Sequence, residues 1–232
     1  MAPDPIPIRP ATPTRTTAAI ASAFTTTPIS LALYAERHDL APPYPTALPS
    51  SALTPYFLPQ IADAVHSGAE LVEAGDYSAV AAWGIPTPCL SPPPPPPQGQ
   101  EEQQSPPPRQ LPLLNEYLTQ VSAAKRRHLP DPQCHPPHYD LKFLARNPSV
   151  PRVAGAVSAV VRPYLVRARG EGRSVWLEAT SPAAVGVYEH WGFRVVEEMV
   201  IGRGKVGADG WPVREGGEGQ GQGLRVWGMV FV

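Results

Sequence analysis

Leu177-Glu-Ala-Thr-Ser-Pro-Ala-Ala-Val-Gly-Val-Tyr-Glu-His-Trp-Gly-Phe193 changes its local rule once, at Ser181-Pro182. Ahead of that point, Ser174-Val-Trp-Leu-Glu-Ala-Thr180 is rich in β-branched and aromatic residues and reads as a strand. Serine followed by proline is a helix start. The serine oxygen accepts a first-turn N–H, and the donor that proline lacks is one the helix leaves unpaired there anyway. The helix then runs from Pro182 to Trp191 and stops at Gly192. Strand, capped helix and the next apolar run follow one another closely, which places this part of the chain in an α/β or α+β architecture.

Working outward, Phe193-Arg-Val-Val-Glu-Glu-Met-Val-Ile201 and Leu224-Arg-Val-Trp-Gly-Met-Val-Phe-Val232 read as two strands. The loop between them, Gly202 to Gly223, holds nine of the 19 glycines and is expected to be mobile. Upstream, Val153 to Arg169 places Ala156, Val160, Tyr164 and Ala168 on one helical face, with Pro163 expected to kink or split the helix and Gly170-Glu-Gly172 closing it. His138 to Ala145 alternates Tyr139, Leu141, Phe143 and Ala145 against polar neighbours and reads as a strand. Leu111 to His128 is a helix with Leu114, Tyr117, Leu118 and Val121 at helical spacing. Its Lys125, Arg126 and Arg127 read as a solvated, macrodipole-matched end.

The N-terminal third offers Ile6 to Arg9 as an edge strand and Thr16 to Phe24 as a helix. A further helix spans Ser51 to His66 on Leu53, Phe57, Ile61 and Val65. Ala69 to Ala74 and Tyr77 to Trp83 form a hairpin about Gly75-Asp76. The count is seven strands with helices between them.

Proline is the compositional outlier, 33 of 232 residues, and it concentrates in residues 86–112, where Pro92 to Pro97 and Pro106 to Pro108 flank a Gln/Glu run. Such a stretch favours polyproline II and is expected to be a disordered insertion. It also fits a docking site for a proline-recognising module. A net charge of −1 argues against holding nucleic acid or an anionic membrane by bulk electrostatics, so neither is expected as a partner. No stretch approaches the roughly 18 apolar residues of a membrane span, and a cytoplasmic location is expected. Cys89 and Cys134 are expected to be free thiols. Cys134-His135-x-x-His138 has no Cys-x-x-Cys partner, so no metal is expected.

The block Leu177 to Phe193, within Tyr139 to Val232, resembles the second signature of the GNAT superfamily of acyl-CoA-dependent N-acetyltransferases: a strand, then Asn or Ser, then a helix ending in Tyr, three residues and Gly-Phe. Ala79-Val-Ala-Ala-Trp-Gly84 is similar to that family's central hairpin and Ile6 to Arg9 to its first strand. The resemblance implies an α/β (α+β) fold over residues 4–232, with a mixed, mostly antiparallel sheet of about seven strands flanked by helices and interrupted by the proline-rich insertion. It implies acetyl-CoA as acyl donor and direct attack by a primary amine, expected to be a small molecule.

In the family, the turn that binds the pyrophosphate reads Gln/Arg-x-x-Gly-x-Gly/Ala. Arg152-Val153-Ala154-Gly155-Ala156-Val157 is the nearest match, with Val157 in place of the small residue and Val153 in place of a frequent glycine. A register shifted to Pro151–Ala156 keeps small residues at both spaced positions and loses the first residue. Backbone N–H groups at a helix start hold phosphate whatever the side chains, provided that the branched valines leave room. The resemblance further implies that Leu144, Ala145 and Arg146 border the donor, with N–H groups near Leu144 and Ala145 holding the oxyanion, and that Ser181 lies against it. Tyr188 is implied as the acid that protonates the leaving thiolate, although its spacing from Ala184 and Val185 also fits simple packing. Glu178 is the first choice as general base, with Asp140 or a water relay as alternatives. The other reading is a catalytically inactive GNAT-fold protein that binds partners through its proline-rich segment.

Overall fold

The computed structural model describes residues 6–86, 110–129, 138–213 and 221–232. The proline-rich tract, both cysteines and His135 lie outside these residues. In chain order the elements are β1 (Ile8–Pro10), α1 (Pro13–Ala23), α2 (Pro28–His38), α3 (Ser50–His66), β2 (Glu70–Ala74), β3 (Ala79–Gly84) and α4 (Pro112–His128). They continue with β4 (Tyr139–Arg146), α5 (Ala156–Gly170), β5 (Val175–Ala179), α6 (Pro182–His190), β6 (Arg194–Ile201) and β7 (Leu224–Phe231). The strands form one seven-stranded sheet in the order β1-β2-β3-β4-β5-β7-β6. Every neighbouring pair is antiparallel except β4 and β5. The expected mixed, mostly antiparallel sheet with flanking helices is therefore what the chain forms.

Helices cover both faces. The apolar stripe of α5, Ala156, Val160, Tyr164 and Ala168, is buried on the face that also carries Trp83, Leu141 and Leu177. Trp83 anchors this contact: its Nε1 donates to the Val160 carbonyl at 3.0 Å, and its ring stacks on Tyr164 with centroids 4.5 Å apart. On the opposite face, α1 and α3 bring Ile20, Leu53 and Phe57 onto Val80 and Ala82, while Val121 and Ala124 of α4 share a cluster with Trp176 and Val226.

The structure differs from the sequence reading at several points, each with a local cause. Helix α2 was not expected, although Thr27-Pro28 offers the same start signal as Ser181-Pro182. Pro163 does not split α5, which runs unbroken from Ala156 to Gly170. Its ring lies on the exposed face, as do those of Pro55 and Pro59 within α3, so water can satisfy the carbonyls these prolines leave unpaired. Four more prolines start helices, at positions 13, 28, 112 and 182. Part of the proline excess is thus built into ordered elements.

Leu118 and Val65, expected on buried helical faces, are 50% and 39% exposed. In α4 the buried face is set instead by Leu113, Val121 and Ala124. The single alternation expected for β4 also fails. A register shift opposite Ala82/Trp83 skips Lys142, so Tyr139 and Leu141 pack on the α5 side, whereas Phe143 and Ala145 pack on the side of α1 and α3. One extra residue in a strand inverts the facing of all that follow.

Residues 202–213 are held against the body of the protein. Val206 and Trp211 are buried, and Trp211 stacks on Tyr44 at 5.0 Å with the rings nearly parallel. Among the described residues no single helix is long and apolar enough to cross a membrane.

Candidate active site

The two central strands part company almost at once. β4 and β5 pair only at Tyr139–Val175 and Asp140–Trp176, after which Leu177 to Ala179 continue with β7 alone. From Leu141 to Arg146 the β5-facing side of β4 has no strand partner, and the bulge at Lys142 lies within this stretch. Backbone donors and acceptors left along such a gap can bind an extended ligand as an added strand would.

At the far end of β4 the chain turns into α5. Gly155 is the N-cap with φ of 86°, a left-handed conformation natural to glycine, and the nearest atom to a Cβ placed there is Ile6 Cδ1 at 3.4 Å. The Val153 N–H donates to Ser78 Oγ at 2.9 Å, and its side chain lies on the β2–β3 turn so closely that a Cβ at Gly75 would approach it to 2.9 Å. The Val157 side chain packs against the core beneath α5. Both valines touch protein neighbours, Val157 at the core and Val153 at the β2–β3 turn while 37% exposed. The Ala156 N–H donates to the Val153 carbonyl, and the other early N–H groups of α5 are of the kind a helix cannot pair within itself. Arg146 and Arg152 are exposed at this end of the sheet.

Where β4 and β5 separate there is a cavity of about 310 Å³. Leu141 to Leu144, Glu178, Thr180 and Tyr188 form one side, and Tyr56, Phe57 and Tyr117 close it from the helical side. The aromatic wall is rigid: Phe57 makes edge-to-face contacts with Phe24, Tyr56 and Phe143.

Charges are concentrated beneath this cavity. Lys125 of α4 places Nζ 2.8 Å from Asp140 Oδ2 and 3.7 Å from Glu178 Oε1, and Lys142 reaches Asp140 at 3.5 Å. The Glu178 carboxylate also accepts from Trp176 Nε1 at 2.5 Å. The Trp176 ring sits on Gly228, where a Cβ would come within 2.6 Å of it.

Burial pushes the Glu178 carboxyl above its ordinary value; the Lys125 ammonium opposes this shift and the Asp140 charge adds to it. Asp140 moves the other way: burial alone would raise it, but Lys125 and Lys142 outweigh burial and hold it below its ordinary value. For Lys125, burial is outweighed by the two carboxylates, which raise its pKa. The result is an ionised Asp140–Lys125 pair beside a carboxyl poised nearer to neutrality. Burial, with the Glu178 charge adding, lifts the Tyr188 hydroxyl to about 12, so it keeps its proton at neutral pH.

Tyr188, Glu178 and Leu144 therefore meet in one cavity, while Arg152 to Val157 form a distinct turn at the start of α5. Ala145 is buried on the side of α1 and α3. The Ser181 hydroxyl is engaged as the α6 cap, accepting from the Ala184 N–H at 3.1 Å, and Ser181 lines a neighbouring cavity. Lys125 corrects the sequence reading, since it is half-buried between two carboxylates rather than solvated. Its position four residues after buried Val121 was the available signal, because that spacing keeps to one helical face. Tyr117 and Phe57 stood on helical spacing, but nothing local marked them, Tyr56 or Trp176 as parts of the site.

No family model matches the chain. Over 94 residues it is 30% identical to increased recombination centers protein 11 of Saccharomyces cerevisiae, a match that spans 40% of this chain and 57% of that protein. Among solved structures it is similar to arylalkylamine N-acetyltransferase 2 from Aedes aegypti, with TM-score 0.54, 15% identity and 98% of each chain covered. It is also similar to the C-terminal condensation domain of Ebony, solved in complex with β-alanyl-dopamine, with TM-score 0.57, 11% identity and coverage of 97% of this chain and 98% of that one. The fold is GNAT-like. At these identities the likeness is one of architecture, and the chemistry has to be argued from the residues themselves.

Proposed function

We propose that the protein is an N-acetyltransferase that moves the acetyl group of acetyl-CoA to a primary amine of a small acceptor. The observation that carries this reading is the single cavity in which the β4–β5 gap, Glu178 and Tyr188 meet. When bound, acetyl-CoA supplies an acetyl thioester open to nucleophilic attack. The residues present suit it: the Gly155 turn at the start of α5 offers helix N-terminal N–H groups to a phosphate, and the unpaired side of β4 from Lys142 to Arg146 matches an arm bearing amides.

In this reading the chain's own groups divide the proton work. Glu178, its pKa raised by burial, accepts a proton from the acceptor ammonium and frees the amine. Lys125 and Trp176 hold that carboxylate in place and keep its pKa from rising further. The Tyr188 hydroxyl remains protonated and donates to the departing sulfur. Of the N–H groups at Leu144 and Ala145, which point to opposite edges of β4, the one turned toward the gap holds the negative charge that develops on the acyl oxygen. The aromatic wall excludes water that would compete with the amine.

The test is calorimetric titration with acetyl-CoA, followed by release of free CoA thiol with a panel of amines. Micromolar binding that Gly155→Glu abolishes, together with amine-dependent thiol release, supports the reading. Absence of heat from folded protein removes it.

A further inference from the structure

A second cavity, of about 580 Å³, adjoins the first and shares Ile29 and Thr180 as walls. Among the described residues its charged lining consists of two guanidinium groups, Arg203 and Arg225, with no carboxylate. Arg203 has no ion pair among the described residues. Arg225 reaches Glu198 at 3.4 Å, but both side chains are largely exposed, so the pair holds the guanidinium weakly. The rest of that lining is mixed: Pro28, Ile29, Leu224 and Trp227 are apolar, while Thr180, Ser181 and Gln222 are polar. The inner compartment has the opposite character, with the Glu178 carboxylate on its wall and its one lysine, Lys142, already directed at Asp140.

Building on the acetyl-transfer reading above, we propose that the acceptor is an amino-carboxylate: a primary amine that enters beside Glu178, an apolar span over Ile29 and Trp227, and a carboxylate held by Arg203 with help from Arg225. The planar guanidinium fork matches a carboxylate with two parallel N–H donors, and charge assistance roughly doubles the strength of each hydrogen bond. A neutral acceptor of the same length leaves that end unmatched. The polarity from Glu178 to the arginines therefore selects both the charge of the acceptor and its orientation, amine inward.

The test uses the full chain and a series of ω-amino acids, from γ-aminobutyrate to longer homologues, each beside its primary amide. Calorimetry is expected to show the best homologue binding about tenfold or more tighter than its amide, the scale of one charge-assisted contact. The Arg203→Ala/Arg225→Ala double variant is expected to bring the two affinities together by weakening the carboxylate alone. In the thiol-release assay the same variant raises KM for the carboxylate acceptor and leaves kcat in place. Both side chains are exposed, so the variant folds, which its melting temperature checks. Equal binding of acid and amide, a preference that survives the double variant, or binding by no member of the series overturns the inference. Acetyl-CoA titrated into the same preparation keeps the readings apart: its binding preserves acetyl transfer when the acceptor inference fails. Its failure beside a clear carboxylate preference leaves the arginine pocket standing without the transfer reading.

Discussion

The turn at the start of α5 and the cavity around Glu178 and Tyr188 lie along the same divergence of strands but are built in opposite ways. The turn works with main chain. Gly155 allows its conformation, the helix start leaves N–H groups free, and Val153 and Val157 touch protein neighbours. The cavity works with side chains whose charges depend on one another, since Asp140, Lys125, Glu178 and Trp176 are linked at 2.8, 3.7 and 2.5 Å. A main-chain site tolerates side-chain drift as long as the backbone path is kept. A buried charge cluster tolerates almost none, because a missing partner strands a charge away from water.

Four substitutions sharpen this contrast. Tyr188→Phe should cause the largest loss, lowering kcat by about a thousandfold if the hydroxyl is the proton donor. Its acetyl-CoA affinity, read by calorimetry, should stay near that of the parent. An unchanged kcat would leave Tyr188 as a packing residue.

Lys125→Met should follow, at a cost in stability of about 2 kcal/mol for breaking a part-buried, charge-assisted pair, measured by denaturant unfolding. The sign with pH is fixed by the shifts. Asp140 lies below and Lys125 above its ordinary value, so the pair's contribution is present between about pH 4 and 10. It is lost in acid as Asp140 protonates through its lowered pKa, and in alkali as Lys125 loses its proton through its raised one. The stability gap between parent and variant should therefore be widest near neutrality. In the variant the rising limb of kcat against pH should move to higher pH, because Glu178 loses the cation that restrains its raised pKa.

Gly155→Glu should weaken acetyl-CoA by about a hundredfold, since it places a side chain at a positive φ and a like charge beside the pyrophosphate. A main-chain site should barely notice Val157→Ala, since that side chain packs toward the core, and the dissociation constant is expected to change by less than about twofold. A large gain from Val157→Ala would instead mean that the valine crowds the phosphate.

How much was legible in advance follows the same division. Ser181-Pro182, the α5 stripe from Ala156 to Ala168 and the paired strands β6 and β7 were readable because capping, helical periodicity and β-branched runs act over a few residues. Helix α2 carried an equally local start at Thr27-Pro28 and was overlooked among threonines and prolines. Glu178 and Tyr188 were picked out through family resemblance, and their proximity required β5 and α6 to fold back beside the β4 gap. Trp176 offered nothing comparable, and Lys125 only its place four residues after Val121 on one helical face. A lysine near a helix end and a tryptophan in a strand are ordinary surface and core residues until a second element packs against them.

By itself the sequence determined the seven strands, most of the helices, and that a glycine stands at the turn into α5. These are short-range matters of backbone sterics and capping. Only the tertiary structure decided the rest: the parting of β4 from β5, the bulge that turns Phe143 away from Leu141, and the placing of Lys125 between two carboxylates. Those depend on contacts between residues far apart in the chain, and a carboxyl's pKa is set by what surrounds it in space rather than by its neighbours in sequence.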